Sequence, residues 1–185
     1  MKRLFCLLLL FLFLIGCEDS NQVKEIEILT YFNNARNFQI YSTTGKEGFT
    51  QTLFKSETSG NVDNYQTRIR KSLMDSIKNI CKDASENDFI FKSSKHVWYC
   101  GEWHSVKITF ANEKTILFKY PYANHENKQF SSFQSLSKQI LNDSLFATRL
   151  NIGQLSGLYT KQEDLSDLTF RGDSIYIANY VKGNK

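Results

Sequence analysis

Val106-Lys107-Ile108-Thr109-Phe110-Ala111-Asn112-Glu113-Lys114-Thr115-Ile116-Leu117-Phe118-Lys119-Tyr120-Pro121 is the stretch that decides the fold. Val106, Ile108 and Phe110 alternate with polar neighbours. After Asn112-Glu113-Lys114, Ile116, Phe118 and Tyr120 alternate again. A period of two sends successive side chains to opposite faces, so the stretch reads as two antiparallel strands around a turn, with one apolar face. Pro121 has no N–H to give to a ladder and marks the strand end or an edge position.

Working outward, residues 24–31 place Ile26 and Ile28 on one side, with Lys24, Glu25 and Glu27 around them, as in a half-buried strand. Asn33-Asn34 begins a turn, and Phe38, Ile40 and Thr44 lie in a second strand. Gly45-Lys46-Glu47-Gly48 turns into a third strand around Phe49 to Lys55, giving a three-stranded antiparallel meander. Tyr65, Ile69, Leu73, Ile77, Ile80 and Cys81 recur at helical spacing behind Asp63 and Gln66, a capping-box-like pair. The spacing predicts a helix over residues 63 to 82 whose apolar stripe needs a sheet to cover it. A second amphipathic helix follows from Phe133, Leu136, Ile140 and Leu141 behind Ser131 and Gln134. Leu168 and Phe170 alternate before Gly172-Asp173, and Ile175 and Ile177 alternate after it, which predicts a closing hairpin near 166–180. The expected class is α+β: an antiparallel sheet, two main amphipathic helices packed on it, and a C-terminal β-hairpin. Residues 24–185 form one domain, with 150–185 as an appendage.

The N-terminus has a different character. Lys2 and Arg3 precede an unbroken apolar run of 12 residues, Leu4 to Ile15. At about 1.5 Å per residue this run is too short for a hydrocarbon core of about 30 Å, but it suits the core of a secretory signal. It ends in Leu14-Ile15-Gly16-Cys17, which resembles the lipobox of bacterial lipoprotein signals. The resemblance implies that residues 1–16 are removed, that Cys17 is acylated, and that residues 17–23 form the lipidated N-terminus and linker. Several acyl chains hold a protein on a bilayer essentially permanently. Glu18 follows the cysteine where an aspartate marks inner-membrane retention in enteric bacteria, which favours the outer membrane of a Gram-negative envelope.

Cleavage changes the charge balance. The 185-residue chain carries 23 basic and 19 acidic residues, and loss of Lys2 and Arg3 leaves 21 against 19. A nearly neutral chain gives no composition-level support for a nucleic-acid partner. Arg68, Arg70, Lys71 and Lys78 concentrate positive charge locally, and Asp75 among them suits a solvated helix face.

The densest chemistry lies in His96-Val97-Trp98-Tyr99-Cys100-Gly101-Glu102-Trp103-His104. Gly101-Glu102 suits a two-residue hairpin turn, which would pair Cys100 with Trp103, Tyr99 with His104, Trp98 with Ser105 and Val97 with Val106. Trp98, Tyr99, Trp103 and His104 are the candidate ligand-binding residues, because exposed aromatics suit glycans and protein partners. A zinc site from His96, Cys100 and His104 with Glu102 as base needs a reduced Cys100 and both histidines on one face, and the hairpin separates them. Cys81 and Cys100 are instead natural disulfide partners in an oxidising compartment.

Gly172-Asp173-Ser174-Ile175 resembles the nucleophile motif of GDSL-type hydrolases, but only ten residues follow it and the last histidine is His125. The chain has no Gly-x-Ser-x-Gly, no His-Glu-x-x-His and no phosphate-binding glycine loop, so no catalytic residue, metal or cofactor is assigned. The expected function is a membrane-anchored, non-enzymatic envelope lipoprotein with the bilayer as its partner through Cys17 and a further protein or glycan partner. The alternatives are an envelope hydrolase using His104 with a nearby carboxylate, and a structural envelope component. Free-thiol labelling of the unreduced, denatured mature protein is expected to find neither Cys81 nor Cys100 reactive. Labelling at either position refutes the pairing.

Overall fold

A computed structural model gives the structure of the chain, in which residues 21–32, 35–55, 62–89, 101–121, 128–143, 148–150 and 152–171 are described. In chain order these contain β1 (Val23–Phe32), β2 (Ala35–Gly45), β3 (Phe49–Lys55), β4 (Val62–Arg68) and α1 (Lys71–Cys81). A short 3-10 turn (Glu86–Phe89), β5 (Glu102–Phe110), β6 (Thr115–Pro121), α2 (Lys128–Asp143) and α3 (Ile152–Arg171) follow. The strands form one antiparallel six-stranded sheet in the order β4-β3-β2-β1-β5-β6. The chain is therefore α+β, and the expected meander of the first three strands forms as the alternation predicts.

Two of the turns expected from the sequence form, at Gly45 to Gly48 and at Asn112 to Lys114, while Asn33-Asn34 lies outside the described residues. At Gly45 to Gly48 the Gly48 N–H donates to the Gly45 carbonyl (2.8 Å), with Gly48 at φ +77°. At the hairpin between β5 and β6, Glu113 takes φ +63°, a conformation that costs a non-glycine residue on the order of 1–2 kcal/mol. Asn112 Oδ1 accepts from the Lys114 N–H (3.0 Å), and Glu113 is ion-paired to Lys24 (2.5 Å). These contacts offset the cost.

The expected helix over 63–82 is corrected at its start. Residues Val62–Arg68 are strand β4, paired with β3 from Phe49↔Arg68 to Lys55↔Val62, and the helix begins only at Lys71. Local spacing could not distinguish the two, because Tyr65 sits four residues before Ile69 by coincidence. A ladder with β3 pairs the inner edge of the segment and Gln66 also exchanges backbone hydrogen bonds with Thr148 on the outer edge, whereas no side chain caps α1 at Arg70. The second helix starts at Lys128, so Ser131 lies inside it rather than capping it.

The expected C-terminal hairpin is also corrected. Residues 166–171 are the last turns of helix α3, and 172–180 lie outside the described residues. Leu158, Leu165 and Thr169 recur at helical spacing and are buried, while Leu168 is 48% exposed. The alternation of Leu168 and Phe170 covered too few residues to separate a strand from the end of a helix.

Two apolar clusters lie on opposite sides of the sheet. One joins Ile26, Ile28, Val106, Ile108, Ile116 and Phe118 to Met74 and Ile77 of α1 and to Phe133 and Leu136 of α2. Its centre is aromatic: Phe118 stacks on Phe89 (centroids 4.4 Å apart) and meets Phe133 edge-on (5.2 Å). The other joins Leu29, Tyr31, Tyr41 and Leu53 to Leu150, Leu158 and Leu165. The segment expected to be an appendage thus supplies three of the seven buried residues of a second core. Three hydrogen bonds link this segment to strands: the Leu150 N–H just before α3 donates to Asn64 Oδ1 of β4, Lys161 reaches Glu25 of β1, and Thr169 reaches Ser105 of β5.

Gly48 fixes the corner between the β2–β3 turn and α1. Its carbonyl accepts the Ile69 N–H (2.8 Å), and a Cβ there would sit 3.0 Å from the Ile69 carbonyl oxygen and 3.2 Å from Met74 Cγ. Gly48→Ala is expected to destabilise the domain by about 1–3 kcal/mol, measured as a lowered urea midpoint at unchanged slope.

Candidate functional site

Three groups of polar side chains are candidates for chemistry, and the sheet register places each of them. The first surrounds His104. Strand β5 pairs with β1 through Thr30↔His104 and with β6 through His104↔Tyr120, so the three side chains stand in a row on the α1–α2 face. Thr30 Oγ1 lies 2.9 Å from His104 Nδ1, Glu102 Oε1 lies 3.2 Å from His104 Nε2, and the Tyr120 ring is 5.0 Å away. His104 is completely buried. Burial also pushes the Tyr120 hydroxyl well above the usual phenol range.

This arrangement corrects the hairpin proposed at Gly101-Glu102. Trp103 pairs with Tyr31 on one side and Pro121 on the other, and Ser105 and Val106 likewise have partners on both sides. Strand β5 has no edge left at these residues, so the pairs Cys100–Trp103, Tyr99–His104, Trp98–Ser105 and Val97–Val106 do not form. The alternation expected along β5 does hold. His104, Val106, Ile108 and Phe110 belong to one face, while half-buried Trp103 packs against the cluster on the other. Trp103 and His104 are therefore not brought together. Trp98, Tyr99, Cys100 and His96 lie outside the described residues, as does Cys17. Among the described residues no three His, Cys, Asp or Glu side chains converge as metal ligands.

The expected disulfide is not seen: Cys81 is buried on the apolar side of α1 with a free thiol, which burial pushes up to about 12, and Cys100, its expected partner, lies outside the described residues. A thiol held that high stays protonated near neutral pH and is a poor nucleophile.

The second group lies under α3, and sequence reading missed it. Glu25 and Glu27 pointed to a solvated face, yet Glu27 is only 2% exposed. Its carboxylate accepts from Lys107 Nζ (2.7 Å) through Oε1 and from the Tyr41 hydroxyl (2.8 Å) through Oε2. Burial, together with the Glu27 charge, pushes the Tyr41 phenol far above its ordinary range, so it remains a fixed donor. Burial also acts to raise the Glu25 carboxyl, but hydrogen bonds from Lys161 (2.5 Å) and Thr43 (2.5 Å) outweigh it and hold the group below the usual carboxylate range. The legible signal was Lys107, a cation placed among the apolar alternation of β5.

The third is a surface groove of about 730 Å³ at one end of the sheet, with Lys24, Glu25, Thr43, Lys46, Phe49 and Gln51 among its walls. Its carboxylates, ammonium groups, amide and hydroxyl can bind a polar or charged ligand, and Phe49 is 47% exposed beside them. His104 and Glu27 are not part of it. A scan of protein-family models and a search of curated proteins return no match for this chain.

Breaking a buried pair strands one charge. Lys107→Met is expected to cost about 3–5 kcal/mol by chemical denaturation. Glu27→Gln combined with Lys107→Met should recover most of that loss, because a neutral amide still accepts from Tyr41. A double variant no more stable than Lys107→Met would refute the stranded-charge explanation.

Proposed function

We propose that this chain is an envelope lipoprotein, anchored through acylated Cys17 in a Gram-negative outer membrane, whose domain is a non-enzymatic binding module for a protein or glycan partner. The observation that carries the reading is the sequence Leu14-Ile15-Gly16-Cys17 at the end of a 12-residue apolar run behind two cations. The architecture supports it. Strand β1 starts at Val23, six residues beyond Cys17, and the intervening Glu18-Asp19-Ser20-Asn21-Gln22 is polar throughout. No helix among the described residues is long and apolar enough to cross a membrane.

Binding rather than catalysis follows from where the polar groups are. His104, the acid–base candidate read from the sequence, and Glu27 are both buried in the cores and held by neighbouring side chains. Exposed Lys24, Lys46, Glu47 and Phe49 line the groove at the end of β1 and β3 and offer a partner a polar surface with an apolar ring. The packing of α1, α2 and α3 against the sheet, supported by the two clusters, makes that surface rigid. A hydrolase using His104 with Glu102 requires substrate to reach an imidazole with no exposed surface, and burial opposes it.

Metabolic labelling with an alkyne fatty acid in a Gram-negative host is expected to mark the wild-type chain and not Cys17→Ala. Mass spectrometry should find the mature N-terminal peptide starting at an acylated Cys17. Label retained by Cys17→Ala, or a mature N-terminus elsewhere, refutes the anchor.

A further inference from the structure

We propose that the end of the sheet where β1 begins is a docking face for an anionic phospholipid bilayer, the same bilayer that holds the chain. The inference rests on the lipid anchor proposed above. The fold gathers four separate segments at this end. Val23 pairs with Phe110 and Glu25 with Gly45, while Phe49 pairs with Arg68. The Ala111 N–H donates to the Gln22 carbonyl (2.8 Å), and the Gly48 carbonyl ties the β2–β3 turn to Ile69. The start of β1, both turns and the start of α1 therefore share one surface.

That surface is basic although the mature chain is nearly neutral. Lys24, Lys46, Arg68, Arg70, Lys71 and Lys114 are all exposed there, against Glu25, Glu47 and Glu113. Of the three acids, Glu113 is ion-paired to Lys24, and Glu25 is half-buried and held by Lys161 and Thr43. Helix α1 adds to the same sign. It starts beside Arg70 and Lys71 with no acidic residue in its first turn and no side-chain cap. Cations at the positive end of a helix dipole are unfavourable in isolation, and an anionic surface in front of them removes that penalty. Phe49 stands among these cations with 47% of its surface exposed. An apolar ring flanked by cations suits the boundary between head groups and acyl chains.

The tether supplies what the net charge does not. Charge of this kind acts within a screening length of about 8 Å at physiological salt, so it cannot attract a distant membrane. From Cys17 to Asn21 is four residue steps, at most roughly 14 Å of extended chain. Acylation at Cys17 therefore keeps this end within roughly 14 Å of the bilayer, close enough for its charges to come into range of the lipid phosphates.

The test uses the full mature lipoprotein in vesicles, followed by hydrogen–deuterium exchange at residues 45–49 and 111–115. Exchange is expected to slow several-fold in vesicles one-third phosphatidylglycerol, compared with phosphatidylcholine alone. The protection should vanish at high salt, where screening shortens to about 3 Å. It should vanish too in a chain carrying Lys46→Glu, Arg68→Glu, Lys71→Glu and Lys114→Glu that stays tethered and folded. If that variant does not fold, the salt dependence of the wild type decides. Equal exchange in the two lipids by an acylated, tethered chain overturns the docking face and leaves the anchor intact. A mature chain found without acyl groups removes the anchor, and with it the tethered docking proposed.

Discussion

Strand β1 has to be buried on both faces and hydrogen-bonded on both edges, and most of the molecule follows from that. It sits third from one end of the sheet, between β2 and β5, and Ile26, Ile28, Leu29 and Tyr31 are all nearly inaccessible. Its partner β5 lies some 80 positions away in the chain, so the central ladder forms only when the meander meets the later hairpin. Once β1 is central, one helical layer is not enough. The face carrying Ile26 and Ile28 meets α1 and α2, and the face carrying Leu29 and Tyr31 needs α3.

The same constraint explains the buried polar chemistry. A strand with alternating charges can face water on one side, but Glu27 cannot once α3 lies over it. Its carboxylate is kept by Lys107 and Tyr41, one cation and one hydroxyl from the two flanking strands. On the opposite face His104 is held between Thr30 and Glu102. Both groups look like parts of an active site when their residue types alone are considered. Burial assigns them to the cores, whereas the groove at the sheet end is open to solvent.

Much of the fold was legible where the hydrophobic period ran long enough. The hairpin from Val106 to Tyr120, the meander from Ile26 to Lys55 and the helix around Leu136 each carry several repeats flanked by turn chemistry. Reading failed where two periods fit the same few residues. Tyr65 belongs to a strand that is recognisable only through its ladder to β3, and Leu168 and Phe170 belong to a helix whose apolar stripe is thin. The Gly101-Glu102 turn failed for a different reason: both edges of β5 were already taken, by β1 and by β6, and local sequence carries no record of distant partners. Of the candidate site residues, Trp103 and His104 lie on opposite faces of β5. Their separation also means they cannot form one patch.

The sequence by itself determined the strand alternation, the turns at Gly48 and Asn112, and the apolar run ending at Cys17 on which the proposed anchor depends. These are properties of contiguous residues, expressed through backbone geometry and local transfer energies. Only the tertiary structure decided that Glu27 is buried, that His104 has no access to solvent, and that Lys24, Lys46, Arg68, Arg70, Lys71 and Lys114 share one end of the sheet. Those cations are spread over 90 positions of a chain whose formal net charge is only +4. Burial and local field depend on distance in space, and antiparallel pairing sets those distances between residues far apart in the chain.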